Sequence, residues 1–277
     1  MFRDFWRVNL PQMGFAHPYL LRGILSLAAL HLARSRASQE DMLVERAMVH
    51  HNASLSVAMP LISNVGASMP IPLIQFSMLT SYIAFASPKD SQNLLIVSDG
   101  VVPDWLLLFR GVRSFVEAGG GAMHATSLDM MHRPGRLMNH EWLSCDEIGH
   151  EAIGELEDRI RAHVTDREKA DVLLVGTDGL RRAFRLFRDK ADDDDSRVRC
   201  LSMWIFKVTD EFVYLLRKDD REALCVLAFF CVLLARLDHK WWIRGCGVHL
   251  IQRIYSTLDA GYRLWIRWPI EEIGWAP

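Results

Sequence analysis

The sequence predicts an all-α protein, a single multi-helix domain of packed helical pairs around an apolar central helix. Apolar residues recur at helical spacing along most of the chain, and the alternating β-branched runs typical of strands are missing. The run Ala223–Ala235 is wholly apolar and too short to cross a bilayer, so other helices have to enclose it. Half of the 277 residues are hydrophobic, which is enough for a large core.

The first half of the chain contains several helical patterns. Phe2–Met13 has helical spacing, and Tyr19–Arg34 is apolar on nearly every face, which predicts a second buried helix. Ser38 is suited to cap the helix that follows it. Apolar runs then predict helices over Ile71–Phe85 and Trp105–Ala118.

The second half repeats this pattern. Amphipathic helices are predicted over Ile153–Val164, Lys169–Arg188 and Val198–Arg217, followed by the apolar run and a tryptophan-rich end. Gly119–Gly121 and Arg133-Pro-Gly predict a flexible loop near 119–140, and the aspartate run predicts another near 189–197. The triple glycine lacks the Gly-Lys-Ser/Thr that a phosphate loop requires.

Charge and cysteine content narrow the class of protein. The net charge is −2, which provides no electrostatic reason for direct nucleic-acid binding or for an anionic membrane partner. Five cysteines without CxxC spacing indicate buried reduced thiols and no zinc site. The N-terminus has charges where a signal peptide is apolar. We therefore expect a soluble intracellular protein, in the cytoplasm or nucleus, that needs no cofactor or metal.

Asp192–Asp195 is the remaining candidate for metal chemistry. An aspartate cluster holds Mg²⁺ and a diphosphate in isoprenoid-handling enzymes. Here no second metal-binding motif accompanies it, and charged residues flank it on both sides. The run is therefore interpreted as a solvated loop.

The C-terminal fifth of the chain is the predicted ligand site, because tryptophans crowd beside the apolar helix there. Indole rings with N–H groups form an ordered wall, which lines either the core or a pocket. The candidate polar groups near apolar walls are His31, Arg244, His249 and Tyr255. The candidate ligand-binding residues are Phe229, Trp241, Trp242, Cys246, Cys225, His31, Arg244 and Tyr255.

Three blocks of sequence carry a family likeness: His17–Ala33, Asp104–Phe115 and Glu222–Trp275. In these blocks the chain resembles the fungal-specific regulatory domain that follows a binuclear zinc-cluster DNA-binding module, of the sterol-uptake-control type. The resemblance implies an all-helical domain enclosing a hydrophobic pocket for a small molecule. The zinc-cluster cysteines are not in this sequence. Three positions also depart from the pattern: Arg221 replaces a frequent proline, Phe229 a histidine or tyrosine, and Cys246 a tryptophan.

Two functions from different classes follow. In the first, the chain is a sensor that buries an apolar ligand such as a sterol or terpenoid and acts through a homodimer or a helical protein partner. In the second, it is a stand-alone, cofactor-independent enzyme of secondary metabolism. Such a pericyclase-like cyclase or isomerase would orient an apolar terpenoid or polyketide in the same pocket. A purely structural interaction module, with the tryptophans in its core, is the third interpretation.

Overall fold

The computed structural model describes residues 5–63, 70–88, 106, 108, 138–144 and 150–277, and within them it is all-α with no strand. This confirms the predicted fold class. The contacts divide the chain into two compact units. Unit 1 contains the described residues up to Pro88, residues 106 and 108, and Lys240–Ile243; unit 2 contains residues 138–144, 150–239 and Arg244–Pro277. That the whole chain forms a single domain stays a prediction.

Unit 1 begins with a π-helical turn, Phe5–Asn9, that leads into the first α-helix. Its helices are α1 Leu10–Ala16, α2 Pro18–Ser35, α3 Glu40–Ser63 and α4 Ile71–Ala86. A 3-10 turn over Ala37–Gln39 precedes α3, so the helix begins at Glu40 and Ser38 lies within that turn. Helix α2 packs against α1, α3 and α4.

Unit 2 contains the remaining helices. These are α5 Glu151–His163, α6 Arg167–Asp189, α7 Asp194–Lys207, α8 Asp210–Arg217, α9 Arg221–Ala235, α10 Cys246–Thr257, α11 Ala260–Arg263 and α12 Arg267–Ile273. Residues 138–143 are also helical. Side-chain caps define several of the starts: Asp166 for α6, Asp220 for α9 and Asp259 for α11.

Helix α9 is the central helix that the sequence predicts. Every residue from Glu222 to Leu234 is buried. Helices α5, α6, α8, α10, α11 and α12 all pack against it. An apolar helix without a polar face is stable in water only when neighbours cover it on every side. In unit 2 these neighbours surround α9 and form the core.

Three sequence-based expectations differ from the structure. Helix α2 is not buried all round, because Leu25 and Leu32 are exposed. The helix predicted over Val198–Arg217 is two helices, since the Thr209 hydroxyl accepts a hydrogen bond from the Phe212 amide and starts α8.

The aspartate run is the third difference. The loop predicted near 189–197 is shorter than expected, because Asp193 caps α7 and the helix continues through Asp194 and Asp195. At the other predicted loop, residues 138–140 are helical. The remainder of the 119–140 loop, Gly119–Gly121 and most of the predicted Trp105–Ala118 helix lie outside the described residues.

Candidate functional site

An aromatic cluster in unit 2 joins the buried face of α9 to the half-exposed α12. The Phe229 ring stacks on Trp268 with centroids 5.2 Å apart and an interplanar angle of 26°. Phe184 of α6 meets Trp268 edge-on at 5.9 Å. His150, the N-cap residue of α5, lies 5.0 Å from both the Phe184 ring and the Trp268 ring. We call these four residues the aromatic cluster.

Two charged residues border the aromatic cluster. Arg236, just after α9, holds its guanidinium 5.5 Å from the centre of the Phe184 ring. The same guanidinium pairs with Glu272 of α12 at 2.5 Å. This ion pair ties the end of α9 to α12 and holds the helix that carries Trp268. The cluster therefore has apolar rings inside and a paired charge at its edge.

His150 is in its neutral form near neutral pH. Burial lowers the pKa of its imidazole, and the neighbouring positive charge of Arg236 lowers it further. Glu272 acts in the opposite direction, and Arg188 adds a smaller repulsion. A hydrogen bond to the backbone of His150 itself also raises the pKa, and the buried Nδ1 atom has no hydrogen-bond partner on any other described residue. The His150 imidazole therefore lies between the Phe184 and Trp268 rings in its neutral form and not as a charged imidazolium.

A second polar cluster lies at the start of α9. The Lys169 ammonium donates to Glu222 at 2.8 Å and pairs with Asp220 at 2.5 Å. The Tyr262 hydroxyl donates to the other oxygen of Glu222 at 2.7 Å. Burial alone would raise the pKa of Glu222, but the bonds from Lys169 and Tyr262 more than offset it and hold this pKa below its ordinary value.

The pKa values of Tyr262 and Lys169, the partners of Glu222 in this polar cluster, are also shifted. Burial, followed by the bond to Glu222, raises the pKa of Tyr262 to about 12. Burial would lower the pKa of Lys169, yet hydrogen bonds to Asp220 and Glu222 raise it. The cluster is therefore a fully charged Lys–carboxylate network with a neutral tyrosine. It joins α6, α9 and α11.

The four cysteines that the structure describes in unit 2, Cys200, Cys225, Cys231 and Cys246, are buried free thiols. Burial raises the pKa of Cys200 to about 12, and it raises the pKa values of Cys225 and Cys231 as well. A thiol attacks electrophiles and binds metals as the thiolate, so these groups are unreactive at neutral pH. They serve as small apolar side chains in the packing of α7 and α9.

Five of the candidate ligand-binding residues lie in unit 2. Cys225 and Phe229 are one helical turn apart on α9, with the Cys225 thiol 3.8 Å from the Tyr262 carbonyl. Cys246 is buried at the start of α10. Tyr255 packs against Trp275 and under Arg263, and Arg244 is exposed. The structure thus brings Cys225 and Phe229 onto one face of α9, while Tyr255 has other partners.

The other three candidates lie in unit 1. His31 of α2 contacts Trp241 with ring centroids 4.7 Å apart. Trp242 meets Tyr82 of α4 at 4.6 Å. Both tryptophans are partly buried against the core of unit 1. These contacts define an aromatic wall in unit 1 that is separate from the aromatic cluster around Phe229. Ligand binding by any of the eight residues stays a prediction.

Sequence reasoning did not select three members of the aromatic cluster as site residues: His150, Phe184 and Trp268. Trp268 was visible within the tryptophan-rich end, and Phe184 faces inward on an amphipathic helix. His150 carried no signal, because its position depends on how the start of α5 meets α6 and α12. Only tertiary packing brings these distant positions together.

The described residues contain no group of three or more histidine, cysteine or acidic side chains arranged to hold a metal ion. Asp193 instead accepts hydrogen bonds from Ser196 and the Asp195 amide, while Asp194 pairs with His239. In the described part of the chain, no helix combines the length and apolarity needed to span a bilayer.

Comparison with known proteins gives a distant similarity to a transcription factor. The chain is similar to a protein of Gibberella zeae (strain ATCC MYA-4620 / CBS 123657 / FGSC 9075 / NRRL 31084 / PH-1) described as a Zn(2)-C6 fungal-type transcription factor, with 25% identity over 287 aligned positions. The match covers 96% of this chain and 56% of that protein, so the chain spans about half the length of its relative. No family model matches the sequence, and no solved structure matches it. The distant similarity supports a regulatory role related to fungal transcription factors.

Proposed function

We propose that this chain is a regulatory domain of the fungal transcription-factor type that senses an apolar small molecule, of the size and character of a sterol or terpenoid. The observation that carries the proposal is the transcription-factor match over 96% of the chain. An all-helical domain with a continuous apolar core is suited to such a ligand. The proposal implies a location in the nucleus or cytoplasm.

The aromatic cluster is the ligand site we propose. Phe229 is within the core, whereas its stacking partner Trp268 is only partly buried, so a continuous aromatic surface runs from the interior toward solvent. Apolar contact contributes about 25 cal/mol per Å² of surface removed from water. The Nδ1 atom of His150, which has no hydrogen-bond partner on any other described residue, would accept a hydrogen bond from a ligand hydroxyl, and this would orient the ligand.

Regulation would follow from a difference in affinity between two states. A ligand shifts a conformational equilibrium only as far as it binds one state better than the other. Helix α12 is the element through which this shift would act, because it carries Trp268 and is tied to α9 by the Arg236–Glu272 pair. Ligand that separates Trp268 from Phe229 would move α12 relative to α9.

The first experiment measures binding. The purified chain is titrated with a panel of sterols and terpenoids, and the melting temperature and tryptophan fluorescence are followed. We expect saturable stabilisation by at least one ligand, and its loss in Trp268→Ala. The matched control is Trp275→Ala, because Trp275 is also partly buried and meets the Tyr255 ring edge-on, outside the aromatic cluster. Equal loss in both variants, or no binding by any ligand, would contradict the proposed site.

The second experiment measures regulation. The chain is fused to an unrelated DNA-binding module, and reporter transcription is followed with and without the ligand found by titration. We expect a ligand-dependent change in output that Trp268→Ala abolishes. Mass spectrometry of the recovered ligand should show it unchanged. Recovery of an altered ligand in molar excess over the protein would instead favour the cyclase alternative. The transcription-factor match does not support that alternative.

A further inference from the structure

The outward face of α2 is apolar and exposed. Leu25 is 43% exposed and Leu32 is 39% exposed, and Ala28 between them also faces solvent. The opposite face packs tightly, since a Cβ on Gly23 would lie 2.8 Å from Leu79 of α4. The helix is therefore packed on one side and bare on the other. Leu25, Ala28 and Leu32 thus form a continuous exposed apolar strip along α2, which we call the seam. Burial of this strip against another protein surface would be favourable.

The seam has the spacing of a helix–helix contact. Leu21, Leu25, Ala28 and Leu32 follow one another at intervals of four, three and four residues. Leu21 is half-covered, because Gly14 of α1 lies against its backbone. From Leu20 to Ala33 the only Lys, Arg, Asp or Glu residue is Arg22. Such a face offers almost no charge to a partner of different sequence.

We propose that this seam pairs with the same seam of a second copy of the chain, as an antiparallel two-fold contact between two α2 helices. The residue pattern is self-complementary in that direction. A two-fold axis between Ala28 and Ala29 sets Leu25 of each copy opposite Leu32 of the other. Ala28 of each copy is exposed beside the axis and is small enough to let the backbones approach, and the leucines close the contact on both sides.

Charge complementarity selects the antiparallel direction. In this register Arg22 lies opposite Ser35 of the second copy, at the carbonyl end of its α2. A positive side chain is stabilised at a helix C-terminus. A parallel pair would instead set Arg22 against its own equivalent.

The seam is small for a permanent interface. Helix α2 has 18 residues and is about 27 Å long at 1.5 Å per residue. Specific stable interfaces bury roughly 1,200–2,000 Å² in total, and one helix pair with short flanks falls at the low end of that range. We therefore expect a reversible dimer with a dissociation constant in the micromolar range.

Sedimentation velocity of the full chain over a concentration series tests the dimer. The parent chain should shift from monomer to dimer across the micromolar range, and Leu25→Glu should stay monomeric at every concentration. Leu264→Glu is the matched control, because Leu264 is 66% exposed in unit 2 and its replacement should leave the dimer unchanged. Melting curves of both variants should match the parent, since both side chains already face solvent.

Cysteine cross-linking tests the register. In an antiparallel pair, Leu25→Cys alone and Leu32→Cys alone should form little disulfide-linked dimer, whereas an equimolar mixture of the two should cross-link under mild oxidation. Ala28→Cys, near the axis, should cross-link with itself. The native cysteines that the structure describes are buried and should not cross-link. The parent chain, oxidised in parallel, measures any background cross-linking through native cysteines.

Three results would overturn the proposal. The first is a monomer at all concentrations, which would mean that a different protein or another part of this chain covers the seam. The second is a dimer that survives Leu25→Glu or dissociates equally in Leu264→Glu. The third is efficient self-cross-linking of Leu25→Cys without a gain on mixing, which would require parallel helices.

Discussion

Phe229 and Trp268 form a parallel stack, with ring centroids 5.2 Å apart, between the central helix α9 and the C-terminal helix α12. Phe229 is fully buried, whereas Trp268 is only partly buried. The stack therefore joins a core residue of unit 2 to a residue that solvent reaches. This division predicts different effects for changes at the two positions.

Replacing Phe229 with alanine should remove core packing. Truncation of a buried phenylalanine costs about 3–5 kcal/mol of unfolding free energy, and Phe229 should fall in this range because it also loses the stack with Trp268. Urea denaturation followed by circular dichroism measures the change. Phe229→Leu is the milder companion, with a smaller loss. A change below about 1 kcal/mol in Phe229→Ala would contradict its position in the core.

Trp242 offers a comparison from unit 1. It is partly buried and meets Tyr82 and Phe85 edge-on. Trp242→Ala should therefore destabilise the chain by less than Phe229→Ala, by about 1–3 kcal/mol. The same denaturation experiment measures both variants. A loss in Trp242→Ala equal to that in Phe229→Ala would mean that Trp242 belongs to the core rather than to its edge.

His150 should make stability depend on pH. Its pKa is lower in the folded chain than in the unfolded chain, because burial and Arg236 disfavour the imidazolium. Below the unfolded value of about 6.5 the unfolded chain binds the proton more readily, so stability falls as pH drops from about 7 toward 5. Glu272 reduces the effect, and Arg188 adds to it.

Replacing His150 with phenylalanine should reduce this pH dependence while keeping an aromatic ring between Phe184 and Trp268. Melting temperatures at pH 5 and pH 7 measure the effect. The control is His140→Gln, which removes an exposed histidine outside the aromatic cluster. An unchanged slope in His150→Phe would show that His150 titrates as it does in water.

Glu222 should stabilise the start of α9 in its charged form. Glu222→Gln leaves Lys169 with Asp220 alone and should cost about 2 kcal/mol of unfolding free energy. Tyr262→Phe removes one hydrogen bond and should cost about 1 kcal/mol. Since the folded pKa of Glu222 is lowered, its contribution is present above the unfolded pKa of about 4.3 and disappears as pH falls below it.

Denaturation of both variants at pH 7 and at pH 3.5 measures this contribution. The difference between Glu222→Gln and the parent should shrink at the lower pH. Two variants as stable as the parent at pH 7 would mean that the Lys169 network does not contribute to folding.

Gly247 should not tolerate replacement by a residue with a side chain. A Cβ at this position would lie 2.7 Å from the Cys231 carbonyl oxygen and 2.8 Å from the Ala235 amide, both backbone atoms of α9. Gly247→Ala should therefore separate α10 from α9 and lower the melting temperature by several degrees. The control is Gly154→Ala in α5, where a Cβ meets nothing within 4 Å and should stabilise the helix by about 0.5–1 kcal/mol. Opposite effects would exclude the close contact of α9 and α10.

The all-α class and most helix positions are predictable from periodicity. The helix predicted over Ile71–Phe85 is α4, with one further residue, and the apolar run that begins at Ala223 lies within α9. The predicted Val198–Arg217 helix is divided because Thr209 offers its hydroxyl to a backbone amide, which periodicity does not detect. Local signals therefore determine where helices form, and a single capping bond decides whether one helix or two result.

The candidate site is only partly predictable. The family resemblance makes Phe229 a candidate, because it departs from the family pattern, and the structure pairs it with Trp268 from the tryptophan-rich end. His150 and Phe184 join them only because α5, α6, α9 and α12 meet in space. The apolar pattern of α2 has the same limit. Hydrophobicity requires that a helix be covered, but tertiary structure decides which face its own chain covers, and here it leaves Leu25 and Leu32 exposed.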